Sequence, residues 1–227
     1  MYSPADLAFW IVAVLLEAFA CGLLAFRGKL RSYRMLALYF AGCVLCDLAR
    51  AETLLRHGFA SVQYQYLFFY GECFSTILLY LAVVEHCERV IASKTARKHL
   101  RMASFVLAAC LGAFCYLVVM QSSARLAFHL VAEYSQNLFL ATAAFGLLLL
   151  LLSLWKKEVS MHDRLLALVL ASYPLMASWQ YFLRNLYPSH ASAAFYSTML
   201  WWILLPLEVA AIFSHPATAE KGPYLYL

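Results

Sequence analysis

Charged residues are scarce in this sequence. Asp, Glu, Lys and Arg make up 13% of the 227 residues, against about 25% in a typical soluble domain. Apolar residues make up 65%, and the mean hydropathy is +0.74. This composition argues against a soluble globular protein and predicts an integral membrane protein. A helix of about 20 residues crosses a hydrocarbon core, so the chain has room for seven such helices and little else.

Lysine is absent from every long apolar run. The six lysines all fall in predicted loops or in the tail: Lys29, Lys94, Lys98, Lys156, Lys157 and Lys221. A covalent retinal pigment needs a Schiff-base lysine in the last helix, so a retinal pigment is excluded. No cofactor is predicted.

Basic residues are also absent before the first apolar run, where a cleavable signal peptide would need them. Helix 1 is therefore expected to stay in the mature protein. The predicted loops are too short to hold a soluble catalytic or output domain. Their basic residues do not form a folded basic face, so nucleic-acid binding is not predicted.

Cysteine and histidine spacing gives no metal site. Cys43 and Cys46 form a C-x-x-C pair without a second pair to complete a tetrahedral zinc site, and they are interpreted as small buried residues. His57, His129 and His190 lie near the predicted outer surface, which leaves a zinc-dependent membrane hydrolase as a third possibility for function. None of them has a histidine three or four residues away, so they are interpreted as surface residues.

The apolar runs predict an all-α bundle of seven transmembrane helices. A transmembrane domain over 1–215 and a short cytoplasmic tail over 216–227 are expected. The predicted helices cover 6–26, 33–55, 63–90, 102–120, 127–155, 165–187 and 193–213.

The basic residues predict the orientation. All but four of the 17 Lys and Arg residues fall in the loops on one side or in the tail, the exceptions being Arg50, Arg56, Arg125 and Arg184. Positively charged loops stay in the cytoplasm. The N-terminus is therefore predicted outside and the C-terminus inside, in a multi-pass protein of a bacterial cytoplasmic (inner) membrane.

Polar residues recur in the outer halves of the predicted helices. A charge near the centre of a spanning helix costs about 2.5–3.5 kcal/mol, so such residues normally face the bundle interior. A polar vestibule that opens outward between helices 2, 3, 5 and 6 is predicted, with a purely structural hydrogen-bond network as the alternative. The candidate ligand-binding or network residues are Asp47, Arg50, Glu72, Glu133, Gln136, Asn137, Gln180 and Arg184.

Carboxylates outnumber cations in this predicted vestibule. Surroundings of low dielectric constant favour the protonated carboxyl. At least one of Glu72 and Glu133 is expected to be neutral at pH 7 and able to sense or carry protons. Glu17 and Glu208 are further candidates for titration, although each is expected to act mainly in structural hydrogen bonds. No catalytic residue is predicted.

Two known seven-helix architectures resemble this arrangement. Glu88-Arg89 at the inner end of helix 3 and prolines in helices 6 and 7 resemble a G-protein-coupled receptor, but helix 7 reads LLPLE where those receptors have Asn-Pro-x-x-Tyr. The run Arg34-Met-Leu-Ala-Leu opening helix 2 recurs as Arg164-Leu-Leu-Ala-Leu opening helix 6. With an uncharged, linker-like helix 4, this recurrence resembles the three-plus-one-plus-three organisation of SWEET sugar transporters.

Over most of its length the chain resembles a group of bacterial seven-helix membrane proteins without a known activity. Glu72, Ser75 and Glu85 occupy the positions of a Glu followed by a Ser in helix 3 and of a Glu near its inner end. This resemblance implies architecture only.

A non-enzymatic membrane protein is the first functional expectation. It would bind an unknown small molecule, or a membrane or cytoplasmic protein partner, through the outward-facing cavity, and act as a sensor or an accessory subunit. The alternative is a transporter of a small polar solute, proton-coupled or not, with a three-plus-one-plus-three helix repeat.

Overall fold

The computed structural model describes residues 4–58, 60–91, 93–120, 126–156, 159–186 and 191–214, with side chains over 7–58, 60–91, 93–120, 129–156, 159–180 and 203–214. Within these ranges the chain forms helices joined by short turns, without a β-strand. The seven helices are α1 Pro4–Phe26, α2 Arg34–His57, α3 Val62–Val90, α4 Lys94–Met120, α5 Leu126–Trp155, α6 Met161–Leu186 and α7 Ala191–Ser214. The predicted tail, 216–227, lies outside the described residues.

Helix α4 begins eight residues earlier than predicted, at Lys94 instead of 102. The Ser93 hydroxyl accepts a hydrogen bond from the Ala96 N–H at 3.3 Å, which is the role of a helix N-cap. Lys and Arg are good helix formers, and the Nε of Arg101 donates to Glu88 Oε1 on α3 at 2.7 Å. The expected basic loop is therefore the first two turns of α4, and this helix is not the uncharged span that was predicted.

Helix α6 also begins earlier than predicted, at Met161. The Ser160 hydroxyl accepts a hydrogen bond from the Asp163 N–H at 3.2 Å and donates to Asp163 Oδ2 at 2.7 Å. This reciprocal pair resembles a capping box. Because Ser160 and Asp163 are polar, they were interpreted as part of a loop, but they cap the start of α6.

The turn between α2 and α3 depends on a glycine and a serine. Gly58 has a positive φ of 78°, and its N–H donates to the Leu54 carbonyl at 3.0 Å, which ends α2 in a conformation that favours glycine. Ser61 then caps α3, because its hydroxyl accepts from the Tyr64 N–H at 3.2 Å. This turn lies at what we call the Gly58 end of the bundle.

Six helices form a closed ring in which each packs against its neighbours in the order α1, α2, α3, α5, α6, α7 and back to α1. Helix α4 lies outside this ring, against α5 and α3. The contact between α5 and α6 is close at Gly146, where an added Cβ would come within 2.7 Å of the Ala171 Cα. The ring encloses the core and the candidate site.

Two matching hydrogen bonds join the ring at one end. Arg27, directly after α1, donates to the carbonyl of Ser214, the last residue of α7, at 2.7 Å. Lys156, directly after α5, donates to the carbonyl of Val90, the last residue of α3, also at 2.7 Å. Both bonds lie at the end where α2 begins, which we call the Tyr33 end. When α1 is paired with α5, α2 with α6 and α3 with α7, each helix of the ring has neighbours that correspond to those of its counterpart. The two hydrogen bonds then correspond to each other as well.

An aliphatic core fills the ring between its middle and the Tyr33 end. Its most deeply buried members are almost without exposed surface: Leu24, Phe40, Leu79, Val83, Leu149, Leu166, Leu170, Leu205 and Val209. This part of the ring is packed with side chains, and the cavity described below extends from the middle of the ring toward the Gly58 end.

Four helices within the described ranges are long and apolar enough to cross a membrane. They cover Leu7–Phe26, Val62–Val90, Lys94–Met120 and His129–Trp155, and Ile203–Ser214 is a shorter apolar stretch. Helices α2 and α6 are less apolar overall, since they carry many of the polar side chains described below.

Candidate functional site

A small cavity of about 60 Å³ lies inside the ring, from its middle toward the Gly58 end. Side chains of α1, α2 and α3 form most of its wall, and α5 and α6 contribute one residue each. The lining residues are Glu17, Tyr39, Cys43, Asp47, Arg50, Phe68, Glu72, Ser75, Thr76, Phe139 and Tyr173.

Helical spacing explains why α2 and α3 supply most of the wall. Residues three, four or seven positions apart lie on the same face of a helix. Tyr39, Cys43, Asp47 and Arg50 follow this spacing along α2, and Phe68, Glu72, Ser75 and Thr76 follow it along α3. Each helix therefore turns one stripe of polar and aromatic side chains toward the cavity.

Asp47 and Arg50 form the ion pair that their spacing predicts. Arg50 Nη1 lies 2.8 Å from Asp47 Oδ1, and both side chains are about nine-tenths buried. Arg50 Nη2 donates to the Phe68 carbonyl at 3.0 Å, and the guanidinium lies 5.1 Å from the centre of the Phe68 ring. The pair therefore joins α2 to α3, and it uses two of the donor nitrogens of Arg50.

Glu17 of α1 and Arg50 of α2 each leave one buried atom of the cavity wall, Oε2 and Nε, without a hydrogen-bond partner among the described residues. The residue surface of Glu17 is only 7% exposed. A buried carboxylate without a partner is costly unless a proton, a water molecule or a ligand reaches it. Glu17 therefore marks the part of the cavity wall where the described residues supply no hydrogen-bond partner for a buried oxygen.

The cavity has more acidic than basic groups. Among the described lining residues, three carboxyl side chains, those of Glu17, Asp47 and Glu72, share the cavity with one guanidinium, that of Arg50. The described parts of the chain do not bring together three His, Cys, Asp or Glu side chains that could hold a metal ion. The acidic groups are thus spread around the wall.

Aromatic rings and hydroxyls complete the wall. The rings belong to Tyr39, Phe68, Phe139 and Tyr173, and the rings of Phe139 and Tyr173 meet edge to face at 6.5 Å. The Thr76 hydroxyl donates to the Glu72 carbonyl at 2.8 Å. An aromatic face attracts a cation, so these rings add to the attraction exerted by the carboxylates.

Several predicted site residues lie away from this cavity. Asn137 Nδ2 donates to the Glu133 carbonyl at 2.9 Å and to Cys115 Sγ of α4 at 3.4 Å. This contact places the Asn137 side chain of α5 beside α4. Gln136 is half-buried on the same helix, and Gln180 is 8% exposed on α6. Neither lines the cavity.

The two remaining candidates from the sequence are Glu208 and Arg184. Glu208 is half-buried on α7 and does not line the cavity. The side chain of Arg184 lies outside the described residues, as does His190.

The helices around the cavity differ from those of the predicted vestibule. A site between helices 2, 3, 5 and 6 was expected, whereas α1 contributes Glu17, and among the described side chains α5 contributes Phe139 and α6 contributes Tyr173. A charge in the middle of an apolar run singles out Glu17, but nothing in that pattern indicates which neighbouring helix it faces.

A second polar cluster lies at the Tyr33 end of the ring. We call it the Tyr33 cluster, and it consists of Tyr33, Glu85, His86, Arg89 and Asp163. The Tyr33 hydroxyl donates to Asp163 Oδ1 at 3.0 Å, and His86 Nε2 lies 3.2 Å from the Asp163 carbonyl, to which it can donate. The Arg89 guanidinium stacks on the Tyr33 ring, 3.8 Å from its centre. The cluster therefore ties the start of α2 to the end of α3 and the start of α6.

Glu85 and Tyr33 each make one further contact between helices. Glu85 Oε2 accepts from the Met35 N–H at 2.8 Å, which satisfies a donor in the first turn of α2. The Tyr33 ring meets Phe213 of α7 edge to face at 4.8 Å. Burial and then the Asp163 carboxylate raise the pKa of the Tyr33 phenol above its usual range, so this hydroxyl stays protonated and acts as a donor.

No role was predicted for His86 or for Asp163 from the sequence. His86 is in fact 2% exposed. No local pattern joins residues so distant in the chain, and the clearest sequence signal is the Ser160-x-x-Asp163 cap.

Comparison with known proteins gives no relative. No protein-family model matches the chain, and neither a curated protein nor a solved structure shows significant similarity to it. Functional inference therefore depends on the geometry described above.

Proposed function

We propose that this chain is a multi-pass protein of a bacterial inner membrane, with its N-terminus outside and the Tyr33 end at the cytoplasmic surface. The four apolar helices support membrane insertion. The basic side chains at the Tyr33 end support the orientation, because positive loops stay in the cytoplasm; they include Arg27, Arg34, Arg89, Arg101 and Lys156.

The orientation is testable with two matched variants. Ala60→Cys lies in the exposed α2–α3 turn and Ser32→Cys in the exposed α1–α2 turn. In intact cells, a membrane-impermeant maleimide is expected to label the Ala60→Cys variant and to spare the Ser32→Cys variant, each in a background whose native cysteines are replaced by serine. The reverse labelling would contradict the orientation.

The proposed function is non-enzymatic binding of a small molecule in the cavity, by a protein that acts as a sensor or an accessory subunit. One observation carries it: the cavity wall holds Glu17, whose Oε2 has no hydrogen-bond partner in the described part of the chain, next to the Asp47–Arg50 pair and Glu72. Polar groups inside a membrane are costly, and a bound polar molecule would offset part of that cost. The described turns are short, so a separate membrane or cytoplasmic protein would receive the signal.

Native mass spectrometry of protein extracted gently from its own membranes tests this function. A small additional mass, or a stoichiometric partner polypeptide, is expected. A bare chain under conditions that preserve bound lipid would contradict it.

Two variants then assign the additional mass to the cavity. Ser75→Leu is expected to remove the mass, because Ser75 lines the cavity and the larger side chain fills it. Ser172→Leu on α6 is the control, since Ser172 is half-buried but outside the cavity wall. Retention of the mass in Ser75→Leu would place the ligand elsewhere.

A second candidate function is transport of a small polar solute by alternating access. The matching hydrogen bonds of Arg27 to Ser214 and of Lys156 to Val90 support it, because parallel three-helix repeats are a known architecture of transporters. Reconstituted liposomes separate the two functions. A sensor leaves them tight to solutes, whereas a transporter gives flux that Glu72→Gln abolishes.

A further inference from the structure

We propose that the cavity is a binding site for a small organic cation of the ammonium type, with Glu17 as the carboxylate that meets the cationic nitrogen. This inference rests on the proposed binding function and adds the chemical class of the ligand.

The charges of the wall favour a cation. Glu17, Asp47 and Glu72 face a space in which Arg50 is the single basic group among the described lining residues. Two nitrogens of Arg50 are already used, Nη1 by Asp47 and Nη2 by the Phe68 carbonyl, and its Nε has no partner among the described residues. An anion entering this space would meet three carboxyl groups for one unused donor nitrogen, whereas a cation would reduce the excess of acidic groups.

The free oxygen of Glu17 gives the cation a specific contact. Its Oε2 is buried and lacks a hydrogen-bond partner within the described part of the chain. An ammonium nitrogen donates hydrogen bonds and carries the opposite charge, so it satisfies a carboxylate oxygen better than a neutral group does. Ser75 in the same wall offers a hydroxyl oxygen as a further acceptor.

The aromatic rings favour an organic cation over a metal ion. Tyr39, Phe68, Phe139 and Tyr173 line the same space, and such rings bind ammonium groups through their faces. A divalent metal needs several oxygen ligands at short distance, and within the described residues no group of three suitable side chains comes together. Carboxylates dispersed among aromatic rings suit a soft, weakly hydrated cation.

The volume limits the ligand to a few heavy atoms. The cavity measures about 60 Å³, whereas pockets for drug-sized ligands run from about 300 to 1,000 Å³. A water molecule needs roughly 10–15 Å³ in this kind of measure, so the cavity has room for a few waters or for one small ion with a water. Ammonium and methylammonium fit, and a sugar or a quaternary amine such as choline does not.

Equilibrium binding of [¹⁴C]methylammonium to the purified full-length protein in lipid nanodiscs tests the proposal. Saturable binding is expected, displaced by ammonium and not by choline. Glu17→Gln is expected to weaken it at least 10-fold, because the amide keeps the shape and removes the charge. Glu208→Gln is the matched control, since Glu208 lies on α7 outside the cavity wall, and it is expected to bind like the parent protein.

A second variant keeps the test decisive if Glu17→Gln fails to fold. Phe139→Leu removes one aromatic face and retains an apolar side chain of similar reach. A cation is expected to bind 2- to 5-fold more weakly to it, the fold-change that corresponds to a cation–π contact of about 0.5–1 kcal/mol.

Two results would overturn the proposal. One is the absence of saturable methylammonium binding to folded protein, in which case protons neutralise the carboxylates. The other is binding that Glu17→Gln and Phe139→Leu both leave unchanged. If native mass spectrometry still finds a neutral or anionic molecule that Ser75→Leu removes, the binding function stands and only its cationic ligand is wrong.

Discussion

The cavity and the Tyr33 cluster are polar sites inside the same ring, but they use their charged groups differently. In the Tyr33 cluster, Tyr33, His86 and Glu85 each contact a group on another helix. In the cavity, the Asp47–Arg50 pair also joins two helices, through the Phe68 carbonyl, but Glu17 leaves an oxygen unpartnered among the described residues. Both sites therefore join helices, and the cavity in addition leaves a buried carboxyl oxygen open to a ligand.

This difference teaches what to measure. Removing a polar group that joins helices costs stability, because its partners are left buried and unsatisfied. Removing a polar group that has no protein partner costs little stability and, if the group serves a ligand, costs binding. Stability and binding measured on the same variants therefore separate the two kinds of site.

The largest expected effect is that of Asp47→Ala, which leaves the Arg50 guanidinium buried without its counter-ion. Breaking a buried ion pair from one side costs about 3–5 kcal/mol, and both side chains are only 10–11% exposed. The free energy of unfolding, measured by reversible denaturation in mixed detergent micelles, is expected to fall by that amount.

The exposed pair of Glu52 and Arg56 on the same helix provides the control for this prediction. Their side chains are 61% and 70% exposed, so Glu52→Ala is expected to cost at most about 1 kcal/mol. The double variant Asp47→Ala with Arg50→Met should recover most of the lost stability. Equal costs for Asp47→Ala and Glu52→Ala would mean that the cavity pair is well hydrated.

The next effect in size is that of Asp163→Ala in the Tyr33 cluster. The change removes the acceptor of the Tyr33 hydroxyl and the carboxylate that accepts from Ser160. Hydrogen bonds to a charged group contribute about 1.5–3 kcal/mol, and we expect a loss of about 2 kcal/mol because the Asp163 side chain is 30% exposed.

Melting curves of the folded protein measure this loss. Cys43, Cys87 and Cys115 are buried free thiols, so a thiol-reactive fluorophore reports unfolding as they become accessible. His162→Ala, at the neighbouring position of α6, is the control. A melting temperature unchanged by Asp163→Ala, with binding in the cavity lost, would reverse the comparison between the two sites.

Much of the architecture was predictable because it depends on local patterns. Apolar runs predicted seven helices, and most of their ends agree with the structure. The exceptions are the starts of α4 and α6, where polar residues at the caps were interpreted as loop. The Asp47–Arg50 pair was predictable as well, since it depends only on a spacing of three residues within one helix.

The arrangement of the sites was less predictable because it depends on which helix faces meet. Glu17 joins Asp47 and Glu72 because α1 packs beside α2 in the ring, and periodicity does not give the order of helices. Tyr33 and Asp163 meet across 130 positions of the chain. Glu133 and Asn137 show the converse, since a clear polar stripe on α5 lies beside α4 and outside the cavity.

A smaller effect is expected from Tyr33→Phe, which removes one hydroxyl and keeps the ring. The Arg89 stacking and the Phe213 contact depend on the ring alone, so the lost hydrogen bond should cost about 1 kcal/mol. Tyr116→Phe on the exposed surface of α4 is the control. A loss of stability as large as that of Asp163→Ala would mean that the hydrogen bond from the Tyr33 hydroxyl accounts for the full contribution of Asp163 to stability.

The smallest effect on stability is expected from Glu17→Gln, and this variant separates the two sites most sharply. Its Oε2 has no hydrogen-bond partner among the described residues, so the substitution removes no hydrogen bond of that oxygen and places a neutral group where a buried charge would be costly. We expect the free energy of unfolding to change by less than about 0.5 kcal/mol, or to rise slightly, while methylammonium binding falls. Melting curves without methylammonium and with about ten times its dissociation constant measure both properties. The ligand is expected to stabilise the parent protein and to leave the variant unchanged. A large loss of stability without ligand would instead make Glu17 a structural residue like those of the Tyr33 cluster.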